Sequence, residues 1–392
     1  MSGRRERTGT VLVANPSADL YGSDRMIVEA IRSLVAVDRR VVFTSSVDGP
    51  LLPLVSAAGA ETRVLPVPIV RRSMLTPRGL VATIATIARS WPRMRRLIRE
   101  VDPDVVIGNT LTIPFWTLAA RVRRRPALVY VHEAEAGLPW AARTMLTAPL
   151  GAATGAVFNS KTSRDVCRPR GLSRRGRVRV VPNGVTGPDE VAPPRQRIDG
   201  PFRLLYVGRL SPRKGVDLVL RAVALLRDHG VDVAADVVGD VFPGYEWYEE
   251  ELRTLAHDLD IADQIRFQGF QPVVWDAISA ADAVIVPSRA DESFGNVVVE
   301  ALRCSRPVVL ADHSGLHEAG EGFSAVIRVP VDDAPAIAEA VRRLMDEWPA
   351  YAAAARTDAA QAAERFGVEH YRSRFVAAVD ELSDSPRGAQ IT

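Results

Sequence analysis

The chain has 392 residues and a mean hydropathy near zero, which predicts two globular domains of roughly 150–200 residues each instead of one core. Its two cysteines are too few for a disulfide framework or a cysteine metal site, which suits a reducing cytoplasm. The net charge of +3 conceals an asymmetry: residues 1–192 carry 29 Lys and Arg against 15 Asp and Glu, a net +14, and residues 193–392 carry 21 against 32, a net −11.

The basic N-terminal half predicts an anionic partner, and charge alone leaves open a phospholipid surface, a polyprenyl phosphate, an acidic glycan or nucleic acid. Residues Met1–Thr8 are basic but lead straight into a short apolar strand instead of a signal-peptide core, so we expect no secretion. The longest uncharged run, Thr144–Ser160, is interrupted by a proline and two glycines and does not make a membrane span. We therefore expect a cytoplasmic protein.

In chain order, the first half alternates short apolar strands with helices, which is typical of a parallel α/β sheet. After the first strand, a turn-rich loop ends in Gly22, and Ser23 or Asp24 can cap the helix that follows. Open α/β sheets hold phosphates with such a loop and helix N-terminus, although a single glycine is a weak signal. The predicted strands are Thr10–Asn15, Arg40–Thr44, Thr62–Val67, Val105–Ile107, Ala127–Val131, Ala156–Phe158 and Arg177–Val181.

A long helix is predicted from Pro77 toward Arg99, with apolar residues at helical spacing and a kink at Pro92. One interpretation is a sheet-packing helix with a solvated basic face, and we favour it. The alternative is a face that contacts anionic lipid headgroups, at roughly 1 kcal/mol per basic residue near the surface. The basic residues of this face are Arg89, Arg93, Arg95, Arg96 and Arg99.

Two further positions invite a functional interpretation. Asp102-Pro103-Asp104 imitates the Asp-x-Asp pair that binds a divalent metal in many sugar-nucleotide enzymes, but it precedes a strand, whereas ligands bind where strands end. His132 and Glu133 do follow a strand end, where a histidine can donate to or accept from a substrate hydroxyl. A structural histidine that caps the loop is an equally good interpretation on position alone.

The second half repeats the alternation after residues 187–200, which lack apolar periodicity and are predicted to be a linker. We therefore predict an N-terminal domain at 1–186, a second domain at 201–360, and a C-terminal helix at 361–392 that packs back on the N-terminal domain before a polar tail. The predicted strands are Phe202–Val207, Val233–Val238, Ile265–Phe267, Val284–Val286 and Pro307–Leu310, and the last helices are Ala334–Trp348 and about Ala350–Ala378.

Lys214 stands out because only two of the 50 basic residues are lysine, the other being Lys161. Where arginine is the default, a lysine is favoured by a need for a compact point charge, such as a phosphate contact. Arg209, which follows the same strand, can bind the same diphosphate bidentately. Two solvated loop charges are the competing and less favoured interpretation.

Glu292 and Glu300 bracket a loop and a helix start that follow the strand ending at Pro287. A helix start offers unpaired N–H groups, and two carboxylates can accept hydrogen bonds from paired hydroxyls, which together outline a polyol site. By themselves, the two glutamates do not outweigh the simpler interpretation that both are solvated surface charges, as most glutamates are.

These residues carry a family resemblance. The chain resembles the large retaining GT-B glycosyltransferase family with a Glu-x7-Glu motif, known as family 4 or group 1, over essentially its whole length. The resemblance implies two Rossmann-like α/β domains that face each other across a cleft. It is carried by Gly22-Ser23-Asp24, His132, Pro182-Asn183-Gly184-Val185, Gly208-Arg209-Leu210, Lys214-Gly215, Pro287-Ser288, Glu292-Ser293-Phe294-Gly295-Asn296, Glu300-Ala301 and Pro307-Val308-Val309.

The resemblance also implies roles for these residues. Arg209 and Lys214 bind the diphosphate of a UDP-, GDP- or dTDP-sugar, Glu300 binds the ribose, and Glu292 orients the sugar. The Gly22-Ser23 loop adds donors to the phosphate, and His132 contacts the sugar near the reacting carbon. The donor loop Ser293, Phe294, Gly295 and Asn296 contributes backbone groups. No metal or other cofactor is expected. The chain departs from the family at Thr186, where aspartate is common, and at Ser305 and Ser314, where glycine is common.

We therefore predict a hexosyltransferase with a glycan or lipid-linked acceptor in cell-envelope or polysaccharide biosynthesis, with no nucleic acid partner. The Arg-rich half adds the hypothesis of a peripheral position on the inner face of the cytoplasmic membrane. A sugar-nucleotide epimerase of the same fold and a non-catalytic nucleotide-sugar or glycan-binding protein are the alternatives. An NAD oxidoreductase is disfavoured because neither first loop reads Gly-x-Gly-x-x-Gly.

Overall fold

The computed structural model describes residues 9–20, 22–70, 76–169, 171–172, 175–242 and 244–383, with backbone alone at 77–80 and 382–383. The chain divides into two compact units, of which the first ends at Gly184 and resumes at Val368, and the second is Val185–Gly367. Each unit is built on its own parallel sheet. The predicted α/β class with two Rossmann-like domains is confirmed.

The first unit contains a seven-stranded sheet in the order β3-β2-β1-β4-β5-β6-β7. Its strands are β1 (Thr10–Asn15), β2 (Arg40–Ser45), β3 (Glu61–Val64), β4 (Val105–Asn109), β5 (Ala127–Val131), β6 (Gly155–Phe158) and β7 (Val178–Val180). Its helices within the described ranges include α1 (Gly22–Val35), α2 (Leu51–Ala57), α3 (Pro77–Val101), α4 (Pro114–Val122), α5 (Trp140–Thr147) and α6 (Lys161–Cys167), with a 3-10 turn at Ala148–Gly151.

Both faces of this sheet are covered, which explains why its strands read as continuous apolar runs. Alternate residues of β1 point to opposite faces. Val11 and Val13 belong to a core with Ile27 and Ile31 of α1. The intervening residues of β1 belong to a second core, together with Met94 and Ile98 of α3 and Trp116 of α4.

The second unit contains a six-stranded sheet in the order β10-β9-β8-β11-β12-β13. Its strands are β8 (Phe202–Val207), β9 (Val233–Val238), β10 (Ile265–Gly269), β11 (Ala283–Val286), β12 (Val308–Ala311) and β13 (Val326–Val329). Its helices are α7 (Val216–Asp228), α8 (Glu246–Asp258), α9 (Trp275–Ala280), α10 (Asn296–Arg303), α11 (Ser314–Gly320), α12 (Ala334–Asp346) and α13 (Trp348–Phe366), and 3-10 turns lie at Pro212–Lys214 and Ala262–Gln264.

The predicted linker residues lie against this second unit. Trp348 Nε1 donates to Arg195 O at 2.9 Å, and Arg195 Nε donates to Asp282 Oδ1 at 2.8 Å. Arg306 Nη1 donates to Ala192 O at 2.9 Å. The lack of apolar periodicity over 187–200 therefore reflects an irregular segment that is fixed by polar contacts.

The last helix, α14 (Val368–Ser383), packs on the first unit. Arg372 Nη2 lies 2.6 Å from Glu29 Oε2, and Tyr371 OH donates to Met26 O at 3.3 Å, so both contacts fix α14 against α1. The single helix expected over about Ala350–Ala378 is wrong. It is two helices, because Gly367 between them is extended with ψ near 145°.

Helix α3 does not bury its predicted apolar stripe throughout. Met94 and Ile98 of that stripe are buried, Ile87 and Trp91 are half-buried, and Ile84 is 57% exposed. Val81, which lies outside the stripe, is 67% exposed. The five arginines of its basic face are all exposed. Within the described residues, no helix combines the length and apolarity that crossing a bilayer requires.

Each sheet reverses its strand order beside its first strand. β1 lies between β2 and β4, and β8 lies between β9 and β11. Open α/β sheets bind ligands at such switch points, beyond the carboxyl ends of the strands. The loops after β1, β4, β8 and β11 are therefore the places to look for a site.

Candidate functional site

The loop after β8 fixes Arg209. Tyr206 OH donates to Arg209 O at 2.8 Å, which ties the backbone of the loop to the strand. The guanidinium carbon of Arg209 lies 3.5 Å from the centroid of the Phe242 ring. A guanidinium stacked on an aromatic ring is pre-oriented and still carries its full charge.

Lys214 ends the 3-10 turn that follows. Gly215, next in the chain, has φ 70°, and a Cβ at this position would overlap the carbonyl oxygen of Pro287. This close approach needs glycine, since a side chain would separate the β8 loop from the β11 loop. As a result Lys214 Nζ lies 2.5 Å from Glu292 Oε1.

Glu292 is held by both its side chain and its backbone. Oε1 accepts from Ser288 Oγ at 2.9 Å as well as from Lys214. The backbone N–H donates to Ser314 Oγ at 2.9 Å, and the carbonyl accepts from Gly315 N at 2.8 Å. The carboxylate is therefore oriented before any substrate arrives, while its side chain stays 21% exposed.

The start of α11 explains one departure from the family pattern. Ser314 has φ 46°, a left-handed conformation that favours glycine. In this chain the serine hydroxyl accepts from the Glu292 N–H. Gly315 cannot vary in the same way, because a Cβ there would overlap the backbone between Glu292 and Phe294. Ser305 likewise has φ 56° where the family commonly has glycine.

The rest of the donor loop leads into α10. Phe294 is buried and packs edge-on against Phe366, with ring centroids 5.4 Å apart. Ser293, Gly295 and Asn296 are half-buried, and Asn296 is the first residue of α10. Glu300 is half-buried in the second turn of α10. The loop thus has an apolar anchor on one side and accessible polar groups on the other.

Arg289 was missed by sequence reasoning. Its backbone N–H donates to Arg213 O at 2.8 Å, and its guanidinium binds both oxygens of Asp217, at 2.6 and 2.7 Å. Nε also donates to Asp332 Oδ1 at 2.5 Å. The hydrogen bond to Asp217 raises the pKa of Arg289 further above its already high value. Arg289 therefore fastens the Lys214 turn to the Glu292 loop.

Arg289→Ala should lower the free energy of unfolding by about 1–3 kcal/mol, because the Arg289 side chain is only 29% exposed and its loss removes the partner of both Asp217 and Asp332. Urea unfolding of the full chain measures this loss. The matched control is Arg266→Ala. Arg266 also binds both oxygens of an aspartate, Asp236, but its side chain is 71% exposed, so its loss should cost about 0–1 kcal/mol. Equal losses in the two variants would contradict the fastening by Arg289.

In the first unit, polar side chains meet at the ends of β1, β4 and β5. Asn109 Nδ2 donates to Asn15 Oδ1 at 2.6 Å, and His132 Nε2 lies 2.9 Å from Asn109 Oδ1. Gly22 and Ser23 are the first residues of α1. The two asparagines were not singled out from the sequence, although each is the last residue of its strand, and that position is the signal that would have found them.

Burial shifts the pKa values of His132 and Glu133 in opposite directions. The Glu133 carboxylate accepts from Leu111 N at 2.9 Å and from His132 N at 3.0 Å. Burial raises the pKa of Glu133 to about 7 and lowers the pKa of His132 to about 3. The His132 ring is therefore neutral at physiological pH.

Both aspartates of the Asp-x-Asp pair, Asp102 and Asp104, bind neighbouring protein groups. Asp104 Oδ2 accepts from Thr10 N at 2.9 Å, and Asp102 forms an ion pair with Arg125. Both precede β4, at the amino edge of the sheet. Among the described residues no three His, Cys, Asp or Glu side chains cluster as metal ligands. Independence from metal stays a prediction.

Comparison with known proteins follows the division into units. A family model described as Glycosyltransferase Family 4 matches residues 21–187, and one described as Glycosyl transferases group 1 matches residues 189–365. D-inositol 3-phosphate glycosyltransferase 1 of Catenulispora acidiphila is 36% identical over 193 residues, which are 48% of this chain and 46% of that protein. Alpha-D-kanosaminyltransferase of Streptomyces kanamyceticus is 32% identical over 146 residues, 37% of this chain and 36% of that protein. The matches thus span about half or less of these relatives' lengths.

Solved structures resemble the whole chain at lower identity. Anabaena Alr3699/HepE in complex with UDP-glucose has a TM-score of 0.78 at 21% identity and covers 95% of this chain and 100% of its own. WaaG, a glycosyltransferase involved in lipopolysaccharide biosynthesis, has a TM-score of 0.66 at 18% identity, with 96% and 100% coverage. These likenesses show the GT-B fold. With both halves matched by glycosyltransferase family models, the chain belongs to the group 1, or family 4, glycosyltransferases.

Proposed function

We propose that the protein is a retaining glycosyltransferase that moves a hexosyl-type sugar from a nucleoside diphosphate to a hydroxyl of a glycan or lipid-linked acceptor, in cell-envelope or polysaccharide biosynthesis. The observation that carries this proposal is the 2.5 Å contact between Lys214 Nζ and Glu292 Oε1. It joins a cation suited to a departing diphosphate with a carboxylate suited to sugar hydroxyls. Relatives named as glycosyltransferases, and HepE structures with UDP and UDP-glucose, support the donor class.

The donor would lie along the switch edge of the second sheet. Lys214 and the stacked guanidinium of Arg209 bind the diphosphate, and the Glu300 carboxylate accepts from the ribose hydroxyls. Glu292 accepts from hydroxyls of the sugar. The backbone groups of Ser293, Phe294 and Gly295, with Asn296 at the helix start, add fixed donors around it. In the first unit, Gly22 and Ser23 lie at the N-terminus of α1, whose unpaired N–H groups are suited to a phosphate.

The reaction needs no cofactor on this proposal. The bond between the anomeric carbon and the diphosphate oxygen breaks, and a bond from that carbon to the acceptor oxygen forms on the same face. The acceptor proton passes to the departing diphosphate. Lys214 and Arg209 stabilise the charge that grows on the diphosphate, which is the electrostatic contribution that commonly dominates catalysis.

The experiment is a thermal-shift screen of nucleoside diphosphates and their sugars, followed by transfer assays with the donor that binds. Ligand binding raises the unfolding temperature by mass action, so one nucleoside diphosphate should stand out. NMR of the product should show the anomeric configuration of the donor. An inverted product would rule out the retaining mechanism. An epimer formed from donor alone would favour the epimerase, and binding without turnover would favour the non-catalytic alternative.

The proposal includes a peripheral position on the inner face of the cytoplasmic membrane. Support comes from α3, where the exposed apolar residues Val81 and Ile84 share one helix with five exposed arginines. Helix α5 adds Trp140, which is 75% exposed, and Met145, which is 52% exposed. An apolar surface beside basic residues is typical of helices that lie at an anionic interface.

Removing three arginines of α3 should reduce binding to anionic vesicles by about 100-fold, at roughly 1 kcal/mol each. Flotation with phosphatidylglycerol vesicles at low salt measures this for the variant Arg93→Ala, Arg95→Ala, Arg99→Ala. The control removes three exposed arginines of the acidic second unit, Arg203, Arg342 and Arg356. Absence of binding by the wild type, or equal loss in both variants, would remove the membrane contact from the proposal.

A further inference from the structure

Three polar side chains lie side by side at the carboxyl edge of the first sheet. β4 is hydrogen-bonded to both β1 and β5, with Ala14 opposite Gly108 and Asn109 opposite Tyr130. Asn15 and Asn109 therefore end neighbouring strands at nearly the same level, and His132 follows β5 directly. Asn15 is 1% exposed and Asn109 is fully buried. Buried amides must be hydrogen-bonded in full, so their orientations are strongly determined.

The contacts of Asn15, the first of these three side chains, fix the orientation of its amide. Asn15 Nδ2 lies 2.7 Å from the carbonyl oxygen of Ser17, which can only accept a hydrogen bond. The amide nitrogen of Asn15 must therefore face Ser17, and its second N–H reaches Asp24 Oδ1 at 3.0 Å. The amide oxygen of Asn15 then faces the opposite way, toward Asn109.

That choice propagates to the histidine. Asn109 must donate to Asn15 Oδ1, and it does so from Nδ2 at 2.6 Å. Its own amide oxygen is left facing His132 Nε2 at 2.9 Å. A carbonyl oxygen has no proton to give, so Nε2 carries the proton. In a neutral imidazole the lone pair then lies on Nδ1.

We propose that Asn109, oriented by Asn15, is a positioning residue that holds His132 in the Nε2–H tautomer, so that Nδ1 accepts a hydrogen bond from a substrate hydroxyl. The inference rests on the proposed transfer reaction for the identity of that hydroxyl. The position of His132 in the sequence leaves open whether it donates to or accepts from a substrate hydroxyl. On this inference it accepts. The opposite tautomer would present an N–H to the same hydroxyl.

Of the groups around the His132 ring, Asn109 is the one that selects its tautomer. The Glu133 carboxylate binds backbone N–H groups, including that of His132, and not the ring. The Tyr130 ring packs on the imidazole with centroids 4.0 Å apart and an interplanar angle of 55°, which holds its plane but does not distinguish its nitrogens. Among the described residues, the hydrogen-bond partner of the ring is Asn109.

The tautomer can be read directly by two-bond ¹H–¹⁵N correlation of the full chain labelled with ¹⁵N-histidine, with the His132 signal assigned from its loss in His132→Gln. The wild type should show the Nε2–H form at neutral pH. Asn109→Ala should raise the population of the Nδ1–H form by roughly 5- to 10-fold, the effect of one lost hydrogen bond, and should lower kcat with it.

Two further variants separate this effect from a general disturbance. Asn159→Ala removes another buried asparagine, just after β6, which accepts from Ser163 Oγ at 2.8 Å, and it should leave the His132 tautomer unchanged. Asn109→Asp loses the donor to Asn15 Oδ1 but keeps an acceptor at Nε2. It should therefore keep the tautomer, raise the His132 pKa and add an acid limb to the pH profile of kcat.

An Nδ1–H ring in the wild type would overturn the inference, as would an Asn109→Ala variant with unchanged tautomer and kcat. The tautomer is measured without substrate. An inactive wild type with the Nε2–H ring would therefore count against the proposed transfer reaction, whereas an active wild type with the Nδ1–H ring would count against the positioning by Asn109.

Discussion

Replacing Lys214 with alanine should lower kcat for sugar transfer by about 10²–10³-fold and leave the fold intact. A loss of this size is typical when one preorganised group that stabilises developing charge is removed. Lys214 is suited to that task because its side chain is still 35% exposed while Glu292 holds it in place. The stability change should be small, since a partly exposed ion pair contributes about 0–1 kcal/mol.

The chain provides a matched control, because Lys161 is its only other lysine. Lys161 begins α6 in the first unit and is exposed, so Lys161→Ala should retain normal turnover. Lys214→Arg should recover little activity, since the planar guanidinium cannot replace a compact ammonium between Glu292 and a phosphate. Near-normal transfer by purified Lys214→Ala would refute the assignment of Lys214 to the leaving group.

Apolar patterning was sufficient for most of the fold. Runs such as Val11–Ala14 and Val284–Val286 are buried on both faces and therefore readable as parallel strands. β13 (Val326–Val329) was not predicted, because it is an edge strand with one exposed and two half-buried residues. The break at Gly367 was missed because helical periodicity continues on both sides of it. The exposure of Ile84 in α3 was missed because this residue falls on the apolar stripe and was interpreted as a core residue.

The site was predictable only where a residue type is informative by itself. Lys214 stood out in an arginine-rich chain, yet its partner Glu292 is 78 residues away, and their contact depends on how the β8 and β11 loops meet. Arg289 carried no such signal, because the sequence does not distinguish it from the other arginines. Only its contact with Asp217 in the structure does so. Asn109 carried no such signal either, because the role proposed for it depends on the orientation of its amide.

Replacing Glu292 with glutamine should lower kcat/KM by about 10–100-fold, which is the effect of losing a hydrogen bond to a charged acceptor. Both side-chain bonds of Glu292 within the described residues use Oε1, so we assign Oε2 to the sugar hydroxyls. Glutamine can still accept from Lys214 through its oxygen, but it presents an NH₂ group where the sugar needs an acceptor. Steady-state kinetics with the identified donor measures the loss.

The control for charge is Asp291→Asn, which removes a carboxylate one residue earlier in the same loop and should change kcat/KM by less than about threefold if the site uses Glu292 specifically. An equal loss in both variants would show that the net charge of the loop is what matters. Full activity of Glu292→Gln would refute the contact with the sugar.

The double variant Lys214→Ala, Glu292→Gln tests whether the two residues act as one unit. If Glu292 both holds the ammonium and binds the sugar, part of its effect passes through Lys214, and the double variant should lose less than the product of the two single losses. If the residues act separately on the diphosphate and the sugar, the losses should multiply. The 2.5 Å contact between Nζ and Oε1 predicts the first result, because groups in direct contact rarely contribute independently.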